Sequence, residues 1–299
     1  MAPPRGNRYN HCVAAYDTIA IVGVGLIGGS IGLAVRERKL AREVVGIGRR
    51  ESSLTAAREA GAIDRGTTDL SEGVATAELI IVCAPVDTIT ESVILAASAC
   101  RPNALITDAG STKHDIVTTI DAALSARRAG SPFVGSHPLA GDHRGGVEFA
   151  RADLFEGRTV VVTPTSETRP AAVVEITGFW QSLGARVTTM TPSAHDAALA
   201  ATSHLPHLVA AALAAATPEK LLPLAASGWR DTTRVAAGDP KLWQPIFATN
   251  RTHVLAALDR FMEKISALRE ALDQSNDHQL LRILDQAKTI KRSRDALGD

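Results

Sequence analysis

A surplus of charge of either sign is the first thing this chain lacks. Its 32 Lys and Arg residues balance 32 Asp and Glu residues, so no overall field favours nucleic acid or an anionic membrane surface. Cysteine is scarce, three in 299 residues. Cys12, Cys83 and Cys100 follow no metal or disulfide spacing, which points to a reducing, cytoplasmic compartment. Residues 1–17 are polar, bear proline and arginine, and hold no continuous apolar stretch; they are expected to be a flexible tail rather than a secretory leader. No run reaches the roughly 18–20 apolar residues of a membrane span, and no internal repeat or low-complexity tract stands out. What remains, 45% hydrophobic and 21% charged, is the composition of a soluble globular protein long enough for two domains.

From residue 18 to 191 strand and helix signals alternate. Thr18–Val22, Val44–Ile47, Glu78–Cys83 and Ala104–Thr107 read as buried strands, and Leu26–Arg38, Ser52–Ala60 and Ile89–Ala99 as helices. Short β-rich runs joined by helices of this length imply right-handed crossovers and a doubly wound, Rossmann-like parallel sheet. Phe133–Val134, Thr159–Thr163 and Ala185–Thr191 are further strand candidates. Beyond residue 191 the strand signal disappears, and residues 192–299 read as an all-helical second domain, with helices over His195–Ala216, Lys220–Ala226, Asp239–Asn250 and Thr252–Leu272. Val254, Leu258, Phe261, Ile265, Leu268 and Leu272 recur at spacings of four and three, the pattern of an a/d seam. Such a seam either packs inside the domain or joins two copies of the chain, and a homodimer is the expectation.

Gly23-Val24-Gly25-Leu26-Ile27-Gly28 matches G-x-G-x-x-G between the first strand and the first helix, the context that turns a weak motif into a dinucleotide fingerprint. Gly23 suits the tight turn, Gly25 the approach of a pyrophosphate, and Gly28 close helix–strand packing. The N–H groups opening the helix, at Leu26 and Ile27, then face the phosphates. About twenty positions past the third glycine, NAD-selective sites carry an acidic residue. Here that position is Gly48, followed by Arg49 and Arg50. Two guanidiniums suit a 2′-phosphate, so NADP is expected over NAD. The competing reading makes the arginines solvated loop charges and gives the ribose to Glu51.

Two more loops leave the C-terminal ends of strands, Ala84-Pro85-Val86 and the stretch from Asp108 to Lys113, at the edge where such sheets bind ligands. Residues 135–146, GSHPLAGDHRGG, follow the next strand candidate and read as a glycine-punctuated loop in which Pro138 keeps His137 extended. A neutral imidazole beside a nicotinamide suits removal of a proton from an alcohol, with Ser111 able to hydrogen-bond at the same centre. His204 and His207 flank Pro206, one helical turn apart. With His195 they make a poor zinc set, and no metal is expected.

Together these segments resemble the prephenate/arogenate dehydrogenase family: GVGLIGGS, the CAPV loop, DAGSTK, GSHPLAG, SHLPH and GWRDTTRVAAGDPKLW occur in order between about residues 18 and 290. The resemblance implies a nucleotide-binding domain followed by a helical dimerisation domain, and oxidative decarboxylation of prephenate or arogenate in tyrosine biosynthesis. It makes His137 the catalytic base, with Ser111 beside it, and Arg234 the clamp on a substrate carboxylate. It places His204, His207 and Trp243 near the substrate pocket. Arg230, one turn before Arg234, would share its helix face, although related enzymes often carry lysine there.

Overall fold

The structure is a computed structural model that describes residues 15–124, 131–141 and 144–295; the expected tail, apart from its last residues, and Cys12 lie outside the described residues. Alternation of buried strands with crossover helices builds the first half: β1 Tyr16–Val22, α1 Leu26–Glu37, β2 Ala41–Ile47, α2 Glu51–Glu59, β3 Arg65–Thr67, α3 Leu70–Val74, β4 Leu79–Val82, α4 Val86–Ala99, β5 Leu105–Asp108 and α5 His114–Leu124. Then come β6 Phe133–Pro138, β7 Thr159–Thr163, α6 Pro170–Ser182 and β8 Arg186–Thr189. The strands form one sheet in the order β3-β2-β1-β4-β5-β6-β7-β8. Ile19, Ile21, Leu79, Ile80 and Ile81 are completely buried, as expected of strands covered on both faces.

β1 to β6 are parallel, whereas β7 runs antiparallel to β6 and β8 follows β7. The last two strands therefore depart from the all-parallel expectation. Between β6 and β7 the only described helix is the single 3₁₀ turn Val147–Phe149. Without a helical crossover the chain returns beside β6 in the opposite sense. A second correction concerns residues 135–138. They are strand, not loop, with Ser136 opposite Val162, His137 opposite Val161 and Pro138 opposite Val160. Extended backbone before a proline is compatible with a strand, and Pro138 stands last in β6, where its missing N–H costs least.

The second half is helical: α7 Pro192–Leu199, α8 Leu205–Ala216, α9 Ser227–Thr233, α10 Pro240–Thr249, α11 Arg251–Asp273 and α12 Asp277–Asp295. α7 and α8 are joined by a π turn over Ala200–His204. Pro206, at the start of α8, can neither donate to nor fit against the preceding turn, and a widened turn accommodates it. The stretch 220–226 expected as α-helix is instead a 3₁₀ segment, Glu219–Leu224, with Pro223 inside it. The continuous helix Pro192–Ala216 is, by length and composition, apolar enough to cross a membrane, with a window of mean hydropathy 1.4. Counting unbroken apolar runs missed it because His195, Asp196, His204 and His207 interrupt the alanines and leucines, and all four are buried.

Candidate active site

The ends of β1, β4, β5 and β6 meet at one sheet edge, and the three sequence loops lie there. Gly23 has φ +94°, and a Cβ on it would fall 2.5 Å from the Cys83 carbonyl oxygen, so the β1 turn sits directly on the Ala84-Pro85 loop. A Cβ on Gly28 would lie 1.9 Å from the Gly23 carbonyl oxygen; helix and turn touch backbone to backbone. Gly25 is different, because a Cβ there meets nothing within 4 Å. It is the N-cap of α1, with no side chain capping the helix, so the N–H groups at Leu26 and Ile27 stay open to an anion. Pro85 is the exposed N-cap of α4.

In front of this turn lies a cleft of about 470 Å³, lined by Gly23, Gly25, Arg49, Arg50, Ser52 and Glu148 among others. Arg49 and Arg50 are exposed, and neither guanidinium has a hydrogen bond or ion pair among the described residues. Glu51, which the competing sequence reading placed on the ribose, does not line the cleft. The wall formed by Gly146, Val147 and Glu148 was not foreseen. It is held by α1: a Cβ on Gly29 would strike Val147 at 2.8 Å, and Ser30 Oγ accepts from the Arg151 N–H at 3.0 Å. The second glycine of Gly28-Gly29 was the sequence signal for it.

His137, 8% exposed, is held by a partner that sequence reasoning did not assign. Its Nδ1 lies 2.9 Å from His195 Nε2, and His195 Nδ1 lies 2.7 Å from Asp196 Oδ1. The same carboxylate accepts from the backbone N–H groups of Lys113 and His114, each at 2.8 Å. A residue of α7 thus caps the N-terminus of α5, across the boundary between the two halves of the chain. Burial alone would raise the Asp196 carboxyl, but the bonds from His195 and the two backbone N–H groups hold it below its ordinary value. As an acceptor it fixes a proton on His195 Nδ1, which leaves His195 Nε2 to accept from His137 Nδ1. The free lone pair of His137 is then on Nε2, the arrangement of a general base.

Burial, followed by the neighbouring His195, Lys113 and His204, pushes the His137 imidazole well below the ordinary histidine value. It is therefore neutral at physiological pH. Lys113 is itself completely buried and paired with the equally buried Asp108. Asp108 also accepts from the N–H groups of Ser136 at 3.0 Å and Gly110 at 2.9 Å. This pair pins the β5 loop to β6 directly beneath His137. Ser111, by contrast, is half-buried and makes no hydrogen bond among the described residues; nothing joins it to His137.

His204 and His207 are both buried. His207 stacks on Trp243, ring centroids 3.7 Å apart, and His204 meets Trp243 edge-on at 6.2 Å. Gly238 makes the stack possible, since a Cβ there would lie 2.7 Å from Trp243 Nε1 and 2.9 Å from His207 Cε1. His207 Nδ1 is buried without a partner, a polar group that a ligand can satisfy. Burial drives His204 down to about 4, with Asp196 opposing the shift and His195 and His207 adding to it. No group of three or more possible metal ligands occurs among the described residues.

The two arginines part company. α9 ends at Thr233, and Arg234, itself in helical conformation, opens the 3₁₀ turn that continues it. Arg230 spends its guanidinium on the Ala225 carbonyl, at 3.3 and 3.4 Å. Arg234 is exposed and without a partner among the described residues, on the turn that packs against α8.

A glycine turn at the switch point of a Rossmann-like sheet, with a histidine at the same edge, defines the class: a dinucleotide-dependent oxidoreductase. Residues 31–189 match the prephenate dehydrogenase nucleotide-binding domain and residues 191–286 the prephenate dehydrogenase dimerization domain. The chain belongs to the prephenate/arogenate dehydrogenase family of oxidoreductases. It is 36% identical to the prephenate dehydrogenase of Bacillus subtilis (strain 168), over 94% of this chain and 76% of that one. It is 33% identical to the cyclohexadienyl dehydrogenase of Zymomonas mobilis, over 95% and 97%. Among solved structures, prephenate dehydrogenase from A. aeolicus in complex with hydroxyphenyl propionate and NAD+ aligns with TM-score 0.84 at 31% identity, over 93% of this chain and 98% of that one. Synechocystis arogenate dehydrogenase aligns with TM-score 0.80 at 30% identity, over 93% and 99%.

Proposed function

We propose that this protein is an NADP-preferring dehydrogenase that oxidatively decarboxylates prephenate or arogenate, and that it works as a homodimer in the cytoplasm. The relay from His137 through His195 to Asp196 carries the reading. Both substrates have a ring hydroxyl, a ring carboxylate and a side-chain carboxylate. A nicotinamide held by the Gly23–Gly28 turn would supply the hydride acceptor for the ring carbon that bears the hydroxyl. His137 Nε2 takes the hydroxyl proton, while Asp196 and His195 hold the ring in the tautomer that can do so. The ring carboxylate leaves as carbon dioxide, its bonding pair enters the ring to give a phenolate, and His137 returns the proton to make the aromatic phenol. Aromatisation drives the reaction, so the chain need only supply a base, alignment and carboxylate clamps.

Arg234, unpaired and exposed, supplies the side-chain carboxylate clamp, for which a planar guanidinium is suited. His204, His207 and Trp243 form the wall contributed by the helical half, and Ser111 bonds the substrate rather than His137. The cradle fits a dinucleotide: Gly25 leaves open space, α1 has no side-chain cap, and Arg49, Arg50, Ser52 and Ser53 gather at one cleft. Two unpaired guanidiniums beside two hydroxyls suit a 2′-phosphate. Glu148 in the same cleft favours a second reading, in which its carboxylate accepts from an unphosphorylated ribose and NAD is used. Assaying reduced-cofactor formation with prephenate and with arogenate, each against NAD and NADP, decides both choices. A higher kcat/KM with NADP is expected; a preference for NAD removes the phosphate role of Arg49 and Arg50.

A further inference from the structure

Asn250, the last residue before α11, is 2% exposed and lies among groups that permit only one pattern of hydrogen bonds. One atom of its carboxamide sits 2.8 Å from the Asp196 backbone carbonyl oxygen. A carbonyl only accepts, so that atom must be the NH2 nitrogen, Nδ2. The same Nδ2 is 3.1 Å from His204 Nδ1, and its second proton goes there. Oδ1 is left to accept from His253 Nδ1, at 3.0 Å. His253 Nε2 then accepts from Ser193 Oγ, at 3.3 Å. Every orientation follows from the one carbonyl.

His204 Nδ1, as an acceptor, carries no proton, so the ring proton of a neutral His204 is on Nε2. That N–H has no partner among the described residues. The ring stands edge-on to Trp243, beside the His207–Trp243 stack, and its charge would be felt at His137. We propose that Asn250 is a positioning residue that fixes His204 as a hydrogen-bond donor, its Nε2–H presented to an acceptor oxygen of the substrate, with His253 and Ser193 holding the carboxamide in turn. The inference rests on the proposed reading for its substrate but not for its tautomer. It gives the second proton of a buried carboxamide that already ties the start of α11 to the Asp196 backbone a role at His204.

The test has two independent readouts. In the full-length protein labelled with ¹⁵N-histidine and assigned with His204→Gln, two-bond ¹⁵N–¹H correlations are expected to show His204 as the Nε2–H tautomer. Asn250→Asp offers only acceptors, so His204 should move its proton to Nδ1 and lose it from Nε2. In the same variant KM for prephenate should rise about tenfold, the loss of one hydrogen bond, with kcat changed by less than about threefold. Asn250→Ala, which removes donor and acceptor alike, should show a mixture of tautomers and a smaller rise in KM. An Nδ1–H tautomer in the parent overturns the proposal. A switched tautomer with KM unchanged overturns the donor role. A parent that turns over neither prephenate nor arogenate refutes the substrate reading while leaving the tautomer result standing.

Discussion

At the scale of single residues, the site is governed by where protons sit. His137 is buried, partnered on Nδ1 and held below the ordinary histidine value of 6.5. As the proposed base it must be neutral to act, and it becomes protonated only below that depressed value. The acidic limb of kcat/KM against pH should therefore lie below pH 6.5, and a limb at or above 6.5 would contradict the arrangement. His137 and the histidines of SHLPH stood out in the sequence by residue type and local motif, and the carboxylate role proposed for Arg234 rests on the family resemblance. Asp196 and Asn250 did not stand out, because their roles come from contacts across the chain. Lys113 N–H reaches Asp196 over 83 positions, and Asn250 reaches Asp196 over 54. His195 stood in the sequence as a rejected zinc ligand; only the fold reveals it as the partner of His137.

At the scale of elements, the glycine turn separates packing from binding. Gly28 touches the Gly23 backbone, whereas Gly25 faces open space. Gly28→Ala should lower the melting temperature by several degrees or prevent folding, as overpacking against backbone does. Gly25→Ala should melt like the parent yet bind the dinucleotide at least tenfold more weakly, since its methyl would occupy the open space proposed for the pyrophosphate. Thermal melts and a cofactor titration of the two variants check this, and equal behaviour would contradict it. The fingerprint was readable because each glycine has a fixed place relative to strand and helix. The strand character of Gly135–Pro138 was not, because glycine and proline signal turns, while pairing with β7 decides the outcome. The π turn at Ala200–His204 was equally hidden, since helical periodicity does not record one extra residue in a turn.

At the scale of the whole molecule, the helical half is incompletely covered. Val254 is buried, but Ile265 is 48% and Leu272 64% exposed, and Leu281 and Ile290 stand out on α12. The seam read from the sequence thus packs inward at its start and faces outward at its end, forming a groove at Ile265, Leu268 and Leu272. An apolar face of this kind calls for a partner, and a second copy is the proposed one. Ile265→Asp combined with Leu268→Asp should shift the mass measured by light scattering from dimer to monomer, while a parent that is already monomeric would contradict the homodimer. The seam was legible from spacing, whereas α12 was not recognised as a separate helix.

His137 is the proposed base of a dehydrogenase, standing at the sheet edge that also carries the glycine turn. Steady-state turnover of His137→Asn with prephenate, measured alongside dinucleotide affinity, tests that role. A kcat lower by about 10²–10⁴ with cofactor Kd nearly unchanged is expected. Turnover within a few-fold of the parent would contradict it.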